Sequence, residues 1–227
     1  MTRPSSSTLA SPPTRARRGA IVLRMLLALL IVAALVWSGI DAVRGGELSQ
    51  FVSYFTNQSN LAFAIVVVLG VAWSGHRAAR WDDLRGAVTF YLAMTGIIYA
   101  LLVAPLDELL RWDIGWTGIV LHRIAPVAAV ADWVLSPRSD RSSPRRILWW
   151  QVYPIAYLLA TWLRGAITGW YPYEFLDPTA SSWPQVLATT VLVLVAFLAV
   201  ATLLHLVGGL RRTTNADDVS LSAAGSP

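Results

Sequence analysis

The sequence predicts an all-α integral membrane bundle of six transmembrane helices with both termini on the cytoplasmic side. Three observations predict it: an apolar composition, six apolar runs of membrane-crossing length, and arginines that alternate between the segments joining those runs. Of 227 residues, 56% are hydrophobic and 14% charged, and the mean hydropathy is +0.55. That is more apolar surface than one water-soluble core of this size can hide. Each crossing needs about 20 mostly apolar residues in a helix that satisfies its own backbone. The runs that qualify are 19–38, 55–74, 86–104, 114–135, 148–168 and 184–208.

The chain is basic, with a net charge of +5 and a pI near 10.1, but all eighteen basic residues are arginine and most lie between the runs. Thirteen fall in the segments assigned to the cytoplasm, such as Arg15, Arg17, Arg85 and Arg145, and only Arg44 and Arg111 fall in the intervening loops. Such an excess is what the positive-inside rule asks of six spans in a cell membrane, and it argues for topology rather than nucleic-acid binding. The absence of cysteine excludes disulfides, thiol catalysis and Cys-ligated metals.

Residues 1–18, rich in Ser, Pro and Arg, read as a disordered basic tail ahead of an uncleaved first helix. The membrane domain covers 19–208, and the polar segment 209–227 reads as a disordered cytoplasmic tail. In the first span, Arg24 is close enough to the tail to snorkel to the interface, as is His205 in the last. The second span opens with Thr56, Asn57, Gln58, Ser59 and Asn60, and the apolar run behind them, 61–73, is too short to cross alone. This polar block therefore belongs inside the outer part of the membrane. At about 100° per residue, Thr56, Ser59 and Asn60 share one helical face, where they could simply supply interhelical hydrogen bonds.

The fourth span carries His122 about eight residues from its outer end, roughly 12 Å deep at 1.5 Å per residue. Gly115, Gly118, Ala125, Pro126 and Ala129 share its face, which is therefore nearly bare of bulk and points His122 into the bundle. The fifth span bears a stripe of Tyr153, Tyr157, Thr161, Arg164 and Thr168, in which Arg164 could hold an anionic group. Ionisable groups at membrane depth cost roughly 2.5–3.5 kcal/mol each on insertion scales, so each asks for a reason.

Three stretches together carry a resemblance: Tyr54 to Asn60, then His122 with Pro126 and Asp132, then the Tyr171-Pro172-Tyr173-Glu174-Phe175-Leu176-Asp177 string. They resemble a bacterial six-pass membrane family distantly similar to the androgen-induced membrane hydrolases. The animal members are threonine hydrolases that cleave fatty acid esters of hydroxy fatty acids. The resemblance implies Thr56 as nucleophile and His122 as general base on a lipid ester, with Asn57, Ser59, Asn60 and Arg164 as binding groups. Such a pairing is chemically sensible, because a threonine hydroxyl needs a nearby base to attack and a neutral imidazole can take its proton.

Ser59 remains an alternative nucleophile, since it shares the face of Thr56 and lies closer in depth to His122. Arg164 is placed where it could hold a substrate carboxylate. Two other classes stay open: a small transporter or lipid-binding protein whose polar groups line a pathway, and a scaffold in which they only join helices. No phosphate-binding loop and no metal-ligand spacing occurs inside the spans, so no cofactor and no metal is expected. The partners expected are membrane lipid and a lipid-ester substrate, not nucleic acid.

Overall fold

A computed structural model describes residues 15–72, 79–105, 108, 115–136 and 143–224, without the side chains of 15–17, 79–80 and 209–224. Among them all regular structure is helical. Helix α1 spans Arg15–Arg44, and a four-residue helix α2, Leu48–Phe51, leads into α3, Phe55–Ala72. Helix α4, Ala79–Ile98, runs on into a wide π turn at Tyr99–Val103. Helix α5, Gly115–Leu135, contains a second π segment at Val120–Ile124. Helices α6, Arg145–Thr168, and α7, Trp183–Ala224, complete the chain, with a 3-10 turn at Glu174–Leu176 between them.

Among the described residues five stretches are long and apolar enough to cross a membrane: Arg18–Arg44, Phe55–Ala72, Trp81–Val103, Gly115–Leu135 and Trp183–Gly208. They coincide with five of the six expected runs. The fifth expected run falls in α6, whose 24 residues are ample in length, at about 36 Å. Arg145, Arg146, Gln151 and Arg164 make it too polar to qualify by composition. The expected N-terminal tail lies, up to residue 14, outside the described residues. At the other end α7 continues as helix to Ala224, through most of the segment expected to be a tail. No proline stands between 185 and 226, and each further residue of an established helix adds a hydrogen bond without a new nucleation cost.

The helices run alternately up and down, and α4 sits at the centre. Helix α4 packs against α3, α5, α6 and α7, and α1 covers the far side of α3. Residues 86–95 of α4 are buried without interruption. Close approach is secured by glycine: a Cβ on Gly86 would run into the rings of Trp133 and Trp150, and one on Gly96 would press on Pro126 at 3.0 Å. In lipid, where tails are as apolar as leucine, such packing and polar contacts must hold helices together. The other faces of α1 and α7 expose Leu23, Leu29, Val191, Leu192 and Leu203, an extent of open apolar surface unlike that of a soluble monomer.

At the end where α1 begins and α5 finishes, charges rather than apolar side chains meet. Arg24 Nε donates to Asp132 Oδ1 at 2.7 Å, and Arg85 Nη2 donates to Asp132 Oδ2 at 3.1 Å. Arg24, expected only to snorkel, thus reaches a carboxylate on another helix. Nearby, Arg146 pairs with Asp83 at 3.3 Å and donates to His205 Nδ1 at 3.0 Å. Trp133 and Trp150 donate to the carbonyls of Leu204 and Asp83.

Candidate functional site

At the opposite end, where α1 stops and α3 starts, the helices surround a partly open cavity of about 670 Å³. Its walls come from every helix, and Thr56, His122 and Asn57 all contribute. Ser59, Asn60 and Arg164 do not line it.

The chain reaches Thr56 through a tight turn. Gly46 takes a positive φ of 73°, a conformation favouring glycine, and reverses the chain after α1. Asn57 and Gln58 reach back six residues, their amides donating to the carbonyls of Phe51 at 2.7 Å and Val52 at 2.8 Å. Part of the polar block is thereby spent closing the turn that aims α3. The Phe55 N–H, in the first turn of α3, donates to the Tyr157 hydroxyl at 3.2 Å, and that hydroxyl donates to Ser53 O at 2.8 Å.

Thr56 is buried but opens on the cavity. Ser59 is fully buried, its hydroxyl 2.8 Å from Thr95 Oγ1 and 3.1 Å from the Thr56 carbonyl. Of the two candidate nucleophiles, then, Thr56 faces the space and Ser59 joins α3 to α4. Asn60, also fully buried, donates to the carbonyls of Thr56 at 2.9 Å and Leu121 at 3.2 Å. One amide therefore fixes the backbone of Thr56 against the residue preceding His122, which makes Asn60 a spacer rather than a wall.

His122 sits in the π segment of α5. Pro126, four residues on, has no N–H to offer the His122 carbonyl, and a wide turn at this point accommodates the missing bond. The His122 ring stacks on Tyr99 with centroids 4.0 Å apart, and Tyr99 itself lies in the other π segment. Nδ1 lies 3.1 Å from the Gly118 carbonyl. A carbonyl can only accept, so Nδ1 carries the proton and a neutral ring keeps its lone pair on Nε2. Tyr99 donates to the Glu108 carboxylate and Arg123 to the Glu108 carbonyl, fixing the outer rim beside the ring. Asp132, ten residues away, is engaged with arginines at the far end and does not orient the imidazole.

The 170–177 strap closes the cavity from the α6–α7 side. Gly169, at φ 70°, ends α6 in the left-handed region, and Tyr171 lies flat over Gly165, where any Cβ would collide with its ring. This places Tyr173 over α3, near enough for its hydroxyl to interact with Thr56 and Tyr157. Burial pushes the Tyr173 phenol above its ordinary value and keeps it a neutral donor. Tyr54 packs edge-on against both Trp170 and Tyr173, with centroids 5.8 Å away in each case. Arg164 is directed elsewhere: its guanidinium lies 4.4 Å over the Trp170 ring, and Nη2 donates to Ser49 O at 3.4 Å.

Sequence reasoning missed Tyr99, Tyr173 and Thr190 as cavity groups. The aromatic string around Tyr173 was a visible signal, whereas Tyr99 and Thr190 stand in ordinary apolar helical runs. Among the described residues, no three His, Asp or Glu side chains come together to hold a metal ion.

Fold and site together define an all-helical protein with helices long and apolar enough to cross a membrane and a cavity lined by a threonine and a histidine. No family model matches the chain, and neither a curated protein nor a solved structure matches it.

Proposed function

We propose that the chain is a six-span membrane protein that hydrolyses a lipid ester, with Thr56 as nucleophile and His122 as general base. The observation that carries the reading is that Thr56 and His122, on different helices, open onto one cavity of about 670 Å³ whose walls are otherwise mostly apolar. In this reading α6 also crosses, as the fifth of six spans, with Gln151 and Thr161 turned to the bundle, and both termini are cytoplasmic, as the arginine alternation requires. The cavity then lies in the outer leaflet, where a lipid can enter sideways.

Among the described residues no hydrogen bond joins Thr56 to His122, so the proton path closes when substrate is bound, as is common for catalytic contacts. Thr56 Oγ1 attacks the ester carbonyl carbon while His122 Nε2 takes its proton. The tetrahedral intermediate collapses, the C–O bond to the alcohol breaks, and His122 returns the proton to the departing alkoxide. Water then attacks the acyl-threonine, giving its proton to His122, and the acid leaves as threonine is restored. Tyr173 lines the cavity wall and is one donor that could serve a developing oxyanion, as is the second amide hydrogen of Asn57, whose first is held by the Phe51 carbonyl.

A second reading, a lipid-binding protein, is favoured by the absence, among the described residues, of any hydrogen bond from the Thr56 side chain to a base. An alkyl fluorophosphonate separates the two. Labelling of purified protein that is lost in Thr56→Ala and His122→Ala but kept in Ser59→Ala supports the hydrolase. Folded wild type that takes no label supports the binding protein.

A further inference from the structure

The two sides of the cavity differ in chemistry. On the side of α1, α4 and α5 its lining includes Ser38, Asp41, Thr95, Tyr99, Thr117 and His122. On the side of α6 and α7 it is Pro154, Leu158, Val193, Leu194 and Phe197, with two hydroxyl-bearing residues among them. Neither hydroxyl makes this side polar. Tyr157 is committed to the Phe55 N–H and the Ser53 carbonyl, and the Thr190 hydroxyl oxygen is buried and gives the space no polar atom.

The lining also reaches further along these two helices than along α5. Pro154 lies fourteen residues from Thr168, where α6 ends, and Phe197 fourteen from Trp183, where α7 begins, about 21 Å in each case at 1.5 Å per residue. His122 is seven residues from Gly115, the start of α5, or about 10 Å. Among the described residues no lining side chain lies deeper on α6 or α7, and the space ends there on aromatic rings. Phe197, 6% exposed, meets Phe55 edge-on with centroids 6.1 Å apart and Phe90 at 5.4 Å. Behind it Phe90 stacks on Trp150 at 6.0 Å, and both rings are buried. Phe55 lines the cavity too and immediately precedes Thr56, so the apolar arm begins beside the candidate nucleophile and stops at Phe197.

We propose that this arm holds the single alkyl chain of the lipid, lying between α6 and α7 with its end against Phe197, and that Phe197 sets the longest chain accepted. A cavity of about 670 Å³ falls among sites for one small ligand, roughly 300–1,000 Å³, which suits one chain and not two. The proposal deepens the lipid-ester reading by giving the chain a place and a limit, and it rests on that reading only for cleavage. In lipid or detergent a chain gains little by moving to an equally apolar wall. Length is therefore selected by fit: chains shorter than the arm bind alike, and a longer one meets packed rings.

The test uses full-length protein in maltoside micelles and saturated methyl ketones from octyl to hexadecyl, which have a carbonyl head and no ester bond. One set carries a diazirine at the chain end and a second beside the carbonyl. After irradiation the adducts are mapped by mass spectrometry, and those that excess unmodified ketone does not suppress are discounted. Chain-end adducts are expected on Pro154, Leu158, Val193, Leu194 or Phe197, and carbonyl-end adducts near Thr56 and His122. Chain-end adducts on the α1 or α5 lining, or only on outward side chains such as Leu29 and Val191, overturn the proposal.

Competition among the unmodified ketones measures the limit. Affinity should stay level with length and then weaken about tenfold once the chain outgrows the arm. In Phe197→Ala this break should move to chains longer by about three carbons, and in the milder Phe197→Leu by less; Val191→Ala, on the outward face, should leave it in place. A break that stays put in both folded Phe197 variants overturns the proposal. Because no ketone can be cleaved, the expected map and break without fluorophosphonate labelling sink the hydrolase alone. Labelling with chain ends found elsewhere sinks this proposal alone.

Discussion

Asp132 offers the sharpest test of whether the far end of the bundle is a clamp or part of the chemistry. It accepts from Arg24 at 2.7 Å, from Arg85 at 3.1 Å and from the Ser136 hydroxyl at 3.2 Å. The three charged side chains are 19–25% exposed. Asp132→Asn keeps the shape and one acceptor but removes the carboxylate that joins Arg24 and Arg85, leaving Arg85 with Asp82 at 3.8 Å. Breaking a fully buried pair costs about 3–5 kcal/mol. With a quarter of each side chain open to screening, a loss of about 2–3 kcal/mol is expected. For a chain of this size, that corresponds to a fall in Tm of roughly 4–12 °C by the scaling of soluble domains. The assay is thermal unfolding in maltoside, followed by circular dichroism, with fluorophosphonate labelling measured well below the transition. The expected result is a lower Tm with labelling intact. A Tm within about 2 °C of wild type would refute the clamp, by the same scaling. Labelling abolished in protein that is still folded would instead place Asp132 in the catalytic group.

Three further outcomes follow from the geometry. Ser59→Ala removes the contact with Thr95 and should cost about 1 kcal/mol in unfolding experiments without loss of labelling; loss of labelling would move the nucleophile to Ser59. Gly165→Ala forces the Tyr171 ring from its seat, and should cost about 1–3 kcal/mol and slow labelling as the strap shifts; unchanged labelling would show that the strap is passive. Tyr173 should make stability fall with pH above about 10, the ordinary phenol value. Its folded-state value is raised, so the folded protein holds a proton that the unfolded chain releases, and the stabilisation is full below that pH and lost above it. Tyr173→Phe should flatten this part of the profile, and a profile identical to wild type would place the titration elsewhere.

Most of the fold was legible because the signal is long. An apolar run of about 20 residues needs no partner to be recognised, and five such runs recur as apolar helical stretches, although α7 continues as helix well past its expected limit, to Ala224. The α6 run is harder because its polar stripe is a statement about neighbours: Gln151 and Thr161 are tolerable only where other helices cover them. For the same reason the stripe was a poor guide to the cavity. Tyr157 and Arg164 share a helical face, but two turns separate them, and only Tyr157 reaches the space.

The bare face around His122 was legible, since small residues signal close packing, and Ala125 and Ala129 are fully buried. The partner of Arg24 was not, although its depth in the first span matches that of Asp132 in the fourth. Depth arithmetic across spans could have paired them; periodicity within one span could not. The role of Asn60 was beyond reach altogether, because it depends on a π segment freeing the Leu121 carbonyl.

The central position of α4 bears on how the protein is made. A ribosome delivers the helices in order, and α4 emerges when only α1 and α3 are there to meet it, so its flank around Gly86 waits for Trp133 and then Trp150 to arrive. The cavity waits longer, since Thr190 and its neighbours belong to the last helix. A nascent chain released before α7 is inserted would therefore have its threonine and histidine in place but a chamber open on one side. The last wall of the cavity is acquired only with the final helix.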